Sequence, residues 1–276
     1  QPVSISNVAI VAPQAALNAT VSAAAPITAS GSFNLLAPGA TDNSSIVVGM
    51  QTGSAGAKNG NATVSFVSDA SNVGNCAPNC QLGIGTQNVS VSGNVYRLAN
   101  PTLNTPSIDL VARVGDANPS ASVDVTNTSP DAFTERLNGS FGSVAPGFVG
   151  SGAITGLNAG ASSSALALSM NTASAGTFAG IASVDFVSSG AGTTGAPDAA
   201  LASQQVALSG RVYTPAIGQL NTTVIDFGIV HKGDVVTARN VSVTNAAAIA
   251  APNDVLRGSL GGAAGAFSAG GSLAGV

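Results

Sequence analysis

Residues Met50 to Ser68 read MQTGSAGAKNGNATVSFVS, and residues Met170 to Ser188 read MNTASAGTFAGIASVDFVS. Eleven of these 19 positions are identical at an offset of 120. The chain is therefore built on an internal repeat, and the pattern inside that repeat decides the fold class. Val64 and Phe66 in one copy, and Val184 and Phe186 in the other, alternate with Ser, Thr or Asp. That is the two-residue period of a strand with one face buried.

Working outward, the same order of motifs continues. Val91-Ser-Gly-Asn-Val-Tyr96 matches Leu208-Ser-Gly-Arg-Val-Tyr213 at an offset of 117. Ile108-Asp109-Leu110 followed by Gly115-Asp116 matches Ile225-Asp226-Phe227 followed by Gly233-Asp234. Val123-Asp-Val-Thr-Asn127 matches Val241-Ser-Val-Thr-Asn245, and Val3-Ser-Ile-Ser-Asn7 falls at the same phase. Leu17-Asn18, Leu137-Asn138 and Leu256-Arg257 each head a glycine-rich tract. One unit is thus 117–120 residues long. The 276 residues divide into 1–98, a unit lacking its first strands; 99–215, a complete unit; and 216–276, the opening of a third. The third stops at the phase of Leu157, so it reads as truncated or completed by another chain. Gln1 opens directly into strand pattern without a basic and apolar leader, as in a mature product or an excised fragment.

Composition supports strands and excludes several functions. Val, Ile and Thr favour extended backbone because branching at Cβ restricts χ1, and clusters of Gly, Asn, Pro, Ser and Asp between the runs supply turns. The Ala-rich stretch Ala246 to Ala251 has a helical look, but Pro252 and the neighbouring repeats make it a loop. No βαβ alternation is present, so a parallel nucleotide-binding sheet is not expected. Each full unit offers seven to nine short strands, the content of a β-sandwich of immunoglobulin type. Charged residues are only 7% of the chain and the net charge is −4, which leaves no phosphate-neutralising patch for nucleic acid. Disorder driven by like charges is excluded by a 45% hydrophobic content. No apolar run approaches the ~20 residues of a membrane-spanning helix.

Asp226-Phe-Gly-Ile-Val-His-Lys-Gly-Asp-Val-Val-Thr-Ala-Arg-Asn-Val-Ser-Val-Thr-Asn245 resembles the DFG-x-V-x-x-G…V-x-V-T-N pattern of ASH-type Ig-like domains, typified in bacteria by choice-of-anchor D repeat proteins. The middle unit carries the pattern less purely, with Val111 in place of its glycine. The resemblance implies tandem Ig-like β-sandwiches in a secreted or surface-displayed bacterial array, and it brings no catalytic residues with it.

The search for chemistry returns few candidates. Cys76 and Cys80 flank Ala77-Pro78-Asn79 in a turn-forming stretch and read as a small loop disulfide of an oxidising compartment; half a metal site and a pair of free thiols are the rival readings. His231 is the only histidine, too few for zinc with one cysteine pair or for a nucleophilic triad, and Lys232-Gly233-Asp234 places it at an exposed turn. Glu135 is the only glutamate. Asp109 and Asp226 recur at one phase, as do Asp116 and Asp234, and recurrence in each unit suits a turn or strand-end hydrogen bond better than an active site. Tyr96 and Tyr213 recur likewise, which favours packing. The glycine-rich tract Gly258 to Gly275 lacks the lysine of a phosphate loop. No catalytic, cofactor-binding or metal-ligating residue is assigned. The expected function is a non-enzymatic stalk or spacer of a secreted or cell-surface, adhesin-like bacterial protein. The alternative is an extracellular filament subunit joined by strand complementation, and an enzyme or dedicated ligand-binding module ranks third. Neighbouring repeats or copies of the chain itself are the expected partners, alongside a host or matrix ligand that the residues do not specify.

Overall fold

The computed structural model describes all residues except 9, 10, 12, 77, 250 and 251. Among the described residues strand is the only extended regular element and none is helical. The protein is all-β. The expected loop at Ala246 to Ala251 is irregular from 246 to 249, and its last two residues lie outside the described set. The chain forms two units: Gln1–Ala99 with Ser129–Arg136 and Gly190–Ala196, and Asn100–Thr128 with Leu137–Ser189 and Pro197–Val276.

In the first unit the strands are β1 (Ile5–Ser6), β2 (Ala16–Ala23), β3 (Ile27–Ser30), β4 (Ser32–Leu36), β5 (Thr41–Asp42), β6 (Val47–Met50), β7 (Gly56–Asp69) and β8 (Gln81–Val95). β4, β2, β7 and β8 form one antiparallel sheet in that order. β7 and β8 pair from Gly56↔Val95 to Asp69↔Gln81, a ladder with one register shift beside Phe66. β3 pairs with β6, and β1 with β5. The inward positions of β2 and β7 meet these shorter ladders: Leu17, Ala19 and Val64 pack with Ile5 and Ile46, while Ala62 packs with Ile27 and Val48. Each fully buried Val, Leu or Ile side chain contributes roughly 1.5–3 kcal/mol.

In the second unit come β9 (Pro101–Leu103), β10 (Ser107–Arg113), β11 (Ser120–Asn127), β12 (Arg136–Val144), β13 (Phe148–Ser151), β14 (Ile154–Leu157), β15 (Ser162–Met170), β16 (Gly176–Ser189), β17 (Ala199–Ala200) and β18 (Gln204–Tyr213). One sheet has the order β10-β18-β16-β12-β14, with β17 added on β16; the other has the order β13-β15-β11-β9. The two layers face each other. A β-carbon on Gly210 of β18 would run into the Met170 sulfur and the Phe148 ring, which come from the opposite sheet. Val123, Val125, Leu137, Leu166, Leu168, Met170, Val184, Phe186, Val206 and Val212 are all buried to within 1%. Alternation is cleanest in β18, where Val206, Leu208, Gly210 and Val212 are buried and the residues between them are exposed. β10 joins β18 in parallel, with Ile108 opposite Leu208.

The last 61 residues add β19 (Gly218–Leu220), β20 (Val243–Asn245), β21 (Gly258–Ser259) and β22 (Ser272–Leu273), paired as β19-β20 and β21-β22. Sequence matching places strands at Ile225-Asp226-Phe227 and from Val241, yet residues 221–242 carry no strand. The reason is missing partners. β10 is held by β18 and β11 by β15, and residues 216–276 contain no counterpart of either β15 or β18. Extended propensity alone does not close a ladder.

Candidate functional site

The side chains that recur in the sequence are used by the backbone. Asn7, Asn127 and Asn245 each end an alternating run, and each donates from Nδ2 to an equivalent carbonyl: Leu36 at 3.0 Å, Leu157 at 3.1 Å and Val276 at 3.3 Å. Asn127 Oδ1 accepts the Asn100 N–H at 3.1 Å, and Asn245 Oδ1 accepts the Ile217 N–H at 3.1 Å. A strand end leaves polar backbone without a ladder partner, and burial makes that costly unless a side chain supplies the bond. A short branched amide offers a donor and an acceptor at once. Thus Asn is the residue that ties the end of this strand to two other segments.

Asn18 and Asn138 form a second recurring device. Each sits at a register shift, where β2 meets β4 and β12 meets β14. Their Oδ1 atoms accept the N–H of Leu35 and Gly156, both at 2.7 Å. Leu35 and Gly156 are themselves equivalent, with φ of 56° and 61°. Arg257 takes the asparagine's place in the third copy, where Leu256 and Val276 exchange backbone bonds at 2.8 and 3.2 Å.

Asp116 and Asp234, one recurrent pair, serve turns. Asp116 accepts the Arg113 N–H at 3.0 Å, and Asp234 accepts the His231 N–H at 2.9 Å. His231 itself is 98% exposed in its side chain, 3.5 Å from the Asp234 carboxylate. Asp109 accepts from Ser209 Oγ at 2.6 Å and pairs with Arg211 at 2.9 Å, on the exposed face where β10 meets β18. Asp226, its counterpart, accepts only locally, from the Gly228 N–H at 2.8 Å. The pairs expected from the sequence are therefore not gathered into one cleft. Glu135 is buried and accepts from Thr194 Oγ1 at 2.6 Å. Tyr96 packs on Phe133 with ring centres 5.7 Å apart. Cys76 and Cys80 are joined by a disulfide with Cα atoms 4.9 Å apart.

Sequence reading gave no role to Asp69, whose place in the middle repeat is taken by Ser189. Asp69 is buried and accepts from the Ser71 N–H, Asn18 Nδ2 and Gln81 Nε2 at 2.8–2.9 Å. Hydrogen bonds from Ser71, then Asn18 and Gln81, hold its carboxyl well below the usual carboxylate range. Asp131 is lowered by Arg97 and by the Phe133 N–H, and Asp42 by Ser45. These are ionised acceptors stabilising loops, not groups poised to exchange protons near neutrality.

A cleft of about 580 Å3 is lined by Leu220, Arg239, Val241, Val243, Leu256 and Leu273, together with Asn240, Arg257 and glycines and serines. No carboxylate, histidine or cysteine lines it. Val243 and Leu256 correspond to Val125 and Leu137, which are fully buried in the middle repeat. The cleft is the uncovered counterpart of that core. Among the described residues no group of three or more His, Cys, Asp or Glu is placed to hold a metal ion, and no helix is long and apolar enough to cross a membrane.

No family model and no curated protein matches the chain. Among solved structures it is similar to a protein of unknown function from Porphyromonas gingivalis W83, at 9% identity over 72% of this chain and 86% of that chain, with a TM-score of 0.27. It is also similar to domains 1–6 of the surface layer protein SbsC, at 13% identity, 92% and 28% coverage and a TM-score of 0.29. Domains 4 and 5 of the S-layer protein SbsC match at 12% identity, 70% and 96% coverage and a TM-score of 0.24. The chain spans little more than a quarter of SbsC domains 1–6. Likeness at these TM-scores assigns neither family nor function.

Proposed function

We propose that this chain is a non-enzymatic structural repeat region, a stalk or spacer, of a secreted or cell-surface bacterial protein of the choice-of-anchor D kind. The observation that carries this reading is the asparagine device at Asn7, Asn127 and Asn245, which binds the equivalent carbonyl in each repeat. Polar side chains that recur once per module and are consumed by backbone serve the module, whereas a catalytic constellation gathers once in a cleft. The Cys76–Cys80 disulfide favours an oxidising, extracellular setting. An adhesin-like role fits a surface with few charges and no long-range steering field.

The test is a thermal-shift screen of the chain against nucleotides, mono- and oligosaccharides and divalent cations. The expected result is an unchanged melting temperature throughout. A concentration-dependent rise for any one of them overturns the spacer reading in favour of a binding module. A second reading, a subunit that associates with its own copies, is favoured by the apolar side chains of Val224, Ile229 and Val235, which are exposed.

A further inference from the structure

We infer that the Asp69 carboxylate locks the loop closed by the Cys76–Cys80 bridge: it holds both ends of that loop and thereby protects the disulfide against reduction by a dithiol. The inference goes beyond the spacer reading and does not depend on it.

Asp69 is the last residue of β7 and is 4% exposed. Its Oδ1 accepts the Ser71 N–H at 2.9 Å, where the loop leaves the strand. Its Oδ2 accepts from Gln81 Nε2 at 2.8 Å, on the residue that follows Cys80. The same oxygen accepts from Asn18 Nδ2 of β2 at 2.8 Å, a donor that lies outside the loop. The Ala70 N–H donates to the Cys80 carbonyl at 2.8 Å and closes the base. The bridge holds the Cα atoms of Cys76 and Cys80 4.9 Å apart. One carboxylate thus joins the two ends of the loop that the disulfide cinches.

All of these donors are neutral. β2, β3 and β8, which pair with β7 or pack on it, contain no Asp, Glu, Lys, Arg or His, and neither does the loop at residues 70–80. On β7 itself the other charged group is Lys58, at the far end of the strand and bonded to Ser54 Oγ at 2.9 Å. A buried carboxylate without a countercharge is held by the hydrogen bonds it accepts. Fixing the loop's donors and ionising Asp69 therefore favour each other.

The middle repeat supports this coupling. Ser189 stands there in place of Asp69, and no cysteine follows it. Its loop is fastened by other residues: Thr194 Oγ1 donates to Glu135 at 2.6 Å, and Gly192 lies against the Arg136 guanidinium, which a β-carbon would meet at 3.0 Å. The first repeat has Ala15 and Ala16 at those two places. Bridge and carboxylate occur together in the repeat that lacks the other fasteners.

Reduction is a two-electron exchange. A dithiol gives up two electrons and two protons and its sulfurs close into a disulfide, while the Cys76–Cys80 bond breaks and two thiols form. The opened loop no longer fixes Ser71 and Gln81 against Asp69, so the loss of those bonds opposes the reaction.

The experiment equilibrates the full chain with dithiothreitol near neutral pH and measures free thiols. Asp69→Asn is expected to shift the equilibrium about tenfold toward the reduced form. Asp42→Asn, which alters a carboxylate bonded to Ser44 and Ser45 rather than to this loop, is expected to leave it unchanged. A second measurement uses the unmutated chain and stands even if Asp69→Asn fails to fold. By linkage the bridge favours the ionised carboxylate, so the Asp69 carboxyl carbon, followed by NMR, is expected to titrate about one pH unit higher once the bridge is reduced. An unshifted equilibrium in Asp69→Asn, an equal shift in Asp42→Asn, or a titration unaffected by the bridge overturns the inference. None of these outcomes touches the spacer reading, which the ligand screen judges separately.

Discussion

Asn127 donates to the carbonyl of Leu157 at 3.1 Å from a fully buried position. It also accepts from the backbone of Asn100, so one side chain ties three segments of the middle repeat together. Removing it leaves buried backbone groups without their partner, which costs about 1–3 kcal/mol per group. Asn127→Ala is expected to lower unfolding free energy by about 3 kcal/mol in urea titration. Asn245→Ala, at a more exposed copy of the device, is expected to cost about 1 kcal/mol or less.

Leu35 and Gly156 occupy one position in the repeat and both have positive φ. A left-handed conformation costs an L-residue roughly 1–2 kcal/mol, and glycine bears no such penalty. Leu35→Gly is therefore expected to leave the melting temperature unchanged or raise it slightly. Gly156→Ala is expected to lower it, by about 1 kcal/mol of stability. A loss of stability in Leu35→Gly larger than that in Gly156→Ala counts against this equivalence.

Acid acts first on the lowered carboxylates. Asp69, Asp42 and Asp131 have folded-state values below the unfolded value of about 3.9. A depressed value adds stability that is fully present above the unfolded value and is lost as pH falls toward the folded one. The urea midpoint is expected to be flat from about pH 5 to 8 and to drop below about pH 4. Asp69→Ser, which installs the middle repeat's residue, is expected to flatten part of that drop.

Packing of the second unit rests on Phe186, which is 1% exposed. Phe186→Ala is expected to cost about 3–5 kcal/mol through lost transfer energy and the cavity left behind. Gly210→Ala tests the opposite error, since its new methyl meets Met170 and Phe148. A cost of about 1–3 kcal/mol is expected from overpacking, read from calorimetric melting.

The Cys76–Cys80 bridge closes a very short loop. Chain-entropy arguments limit its worth to about 2 kcal/mol. Cys76→Ser with Cys80→Ser, or reduction of the parent, is expected to lower the melting temperature by a few degrees and leave the circular dichroism spectrum unchanged.

Strand content was legible because burial on one face imposes a period of two. Val64, Phe66, Val184 and Phe186 lie in β7 and β16, and Val123 and Val125 in β11, as their alternation predicts. The turn at Lys232-Gly233-Asp234 was equally readable, because glycine and aspartate meet a local geometric demand. The middle repeat carries ten strands, more than the seven to nine expected, since it includes short ladders such as β17 that no periodicity marks. The asparagines were visible as recurrent letters, but their work was not. Recurrence says that a polar side chain is needed; only the folded backbone says which carbonyl it reaches. Asp69 left no trace, because its partners lie on β2 and β8, and its repeat counterpart is serine.

The sequence alone determined the module: its length, its all-β character and the order of its motifs, all of which follow from local propensity and side-chain periodicity. Tertiary structure decided which of the matching segments become strands. Ile108-Asp109-Leu110 pairs with β18, while Ile225-Asp226-Phe227, nearly the same residues, stays outside any ladder. The physical reason is that a strand is stabilised by hydrogen bonds to a neighbour and by a covered apolar face. Both belong to the partner segment rather than to the strand's own residues.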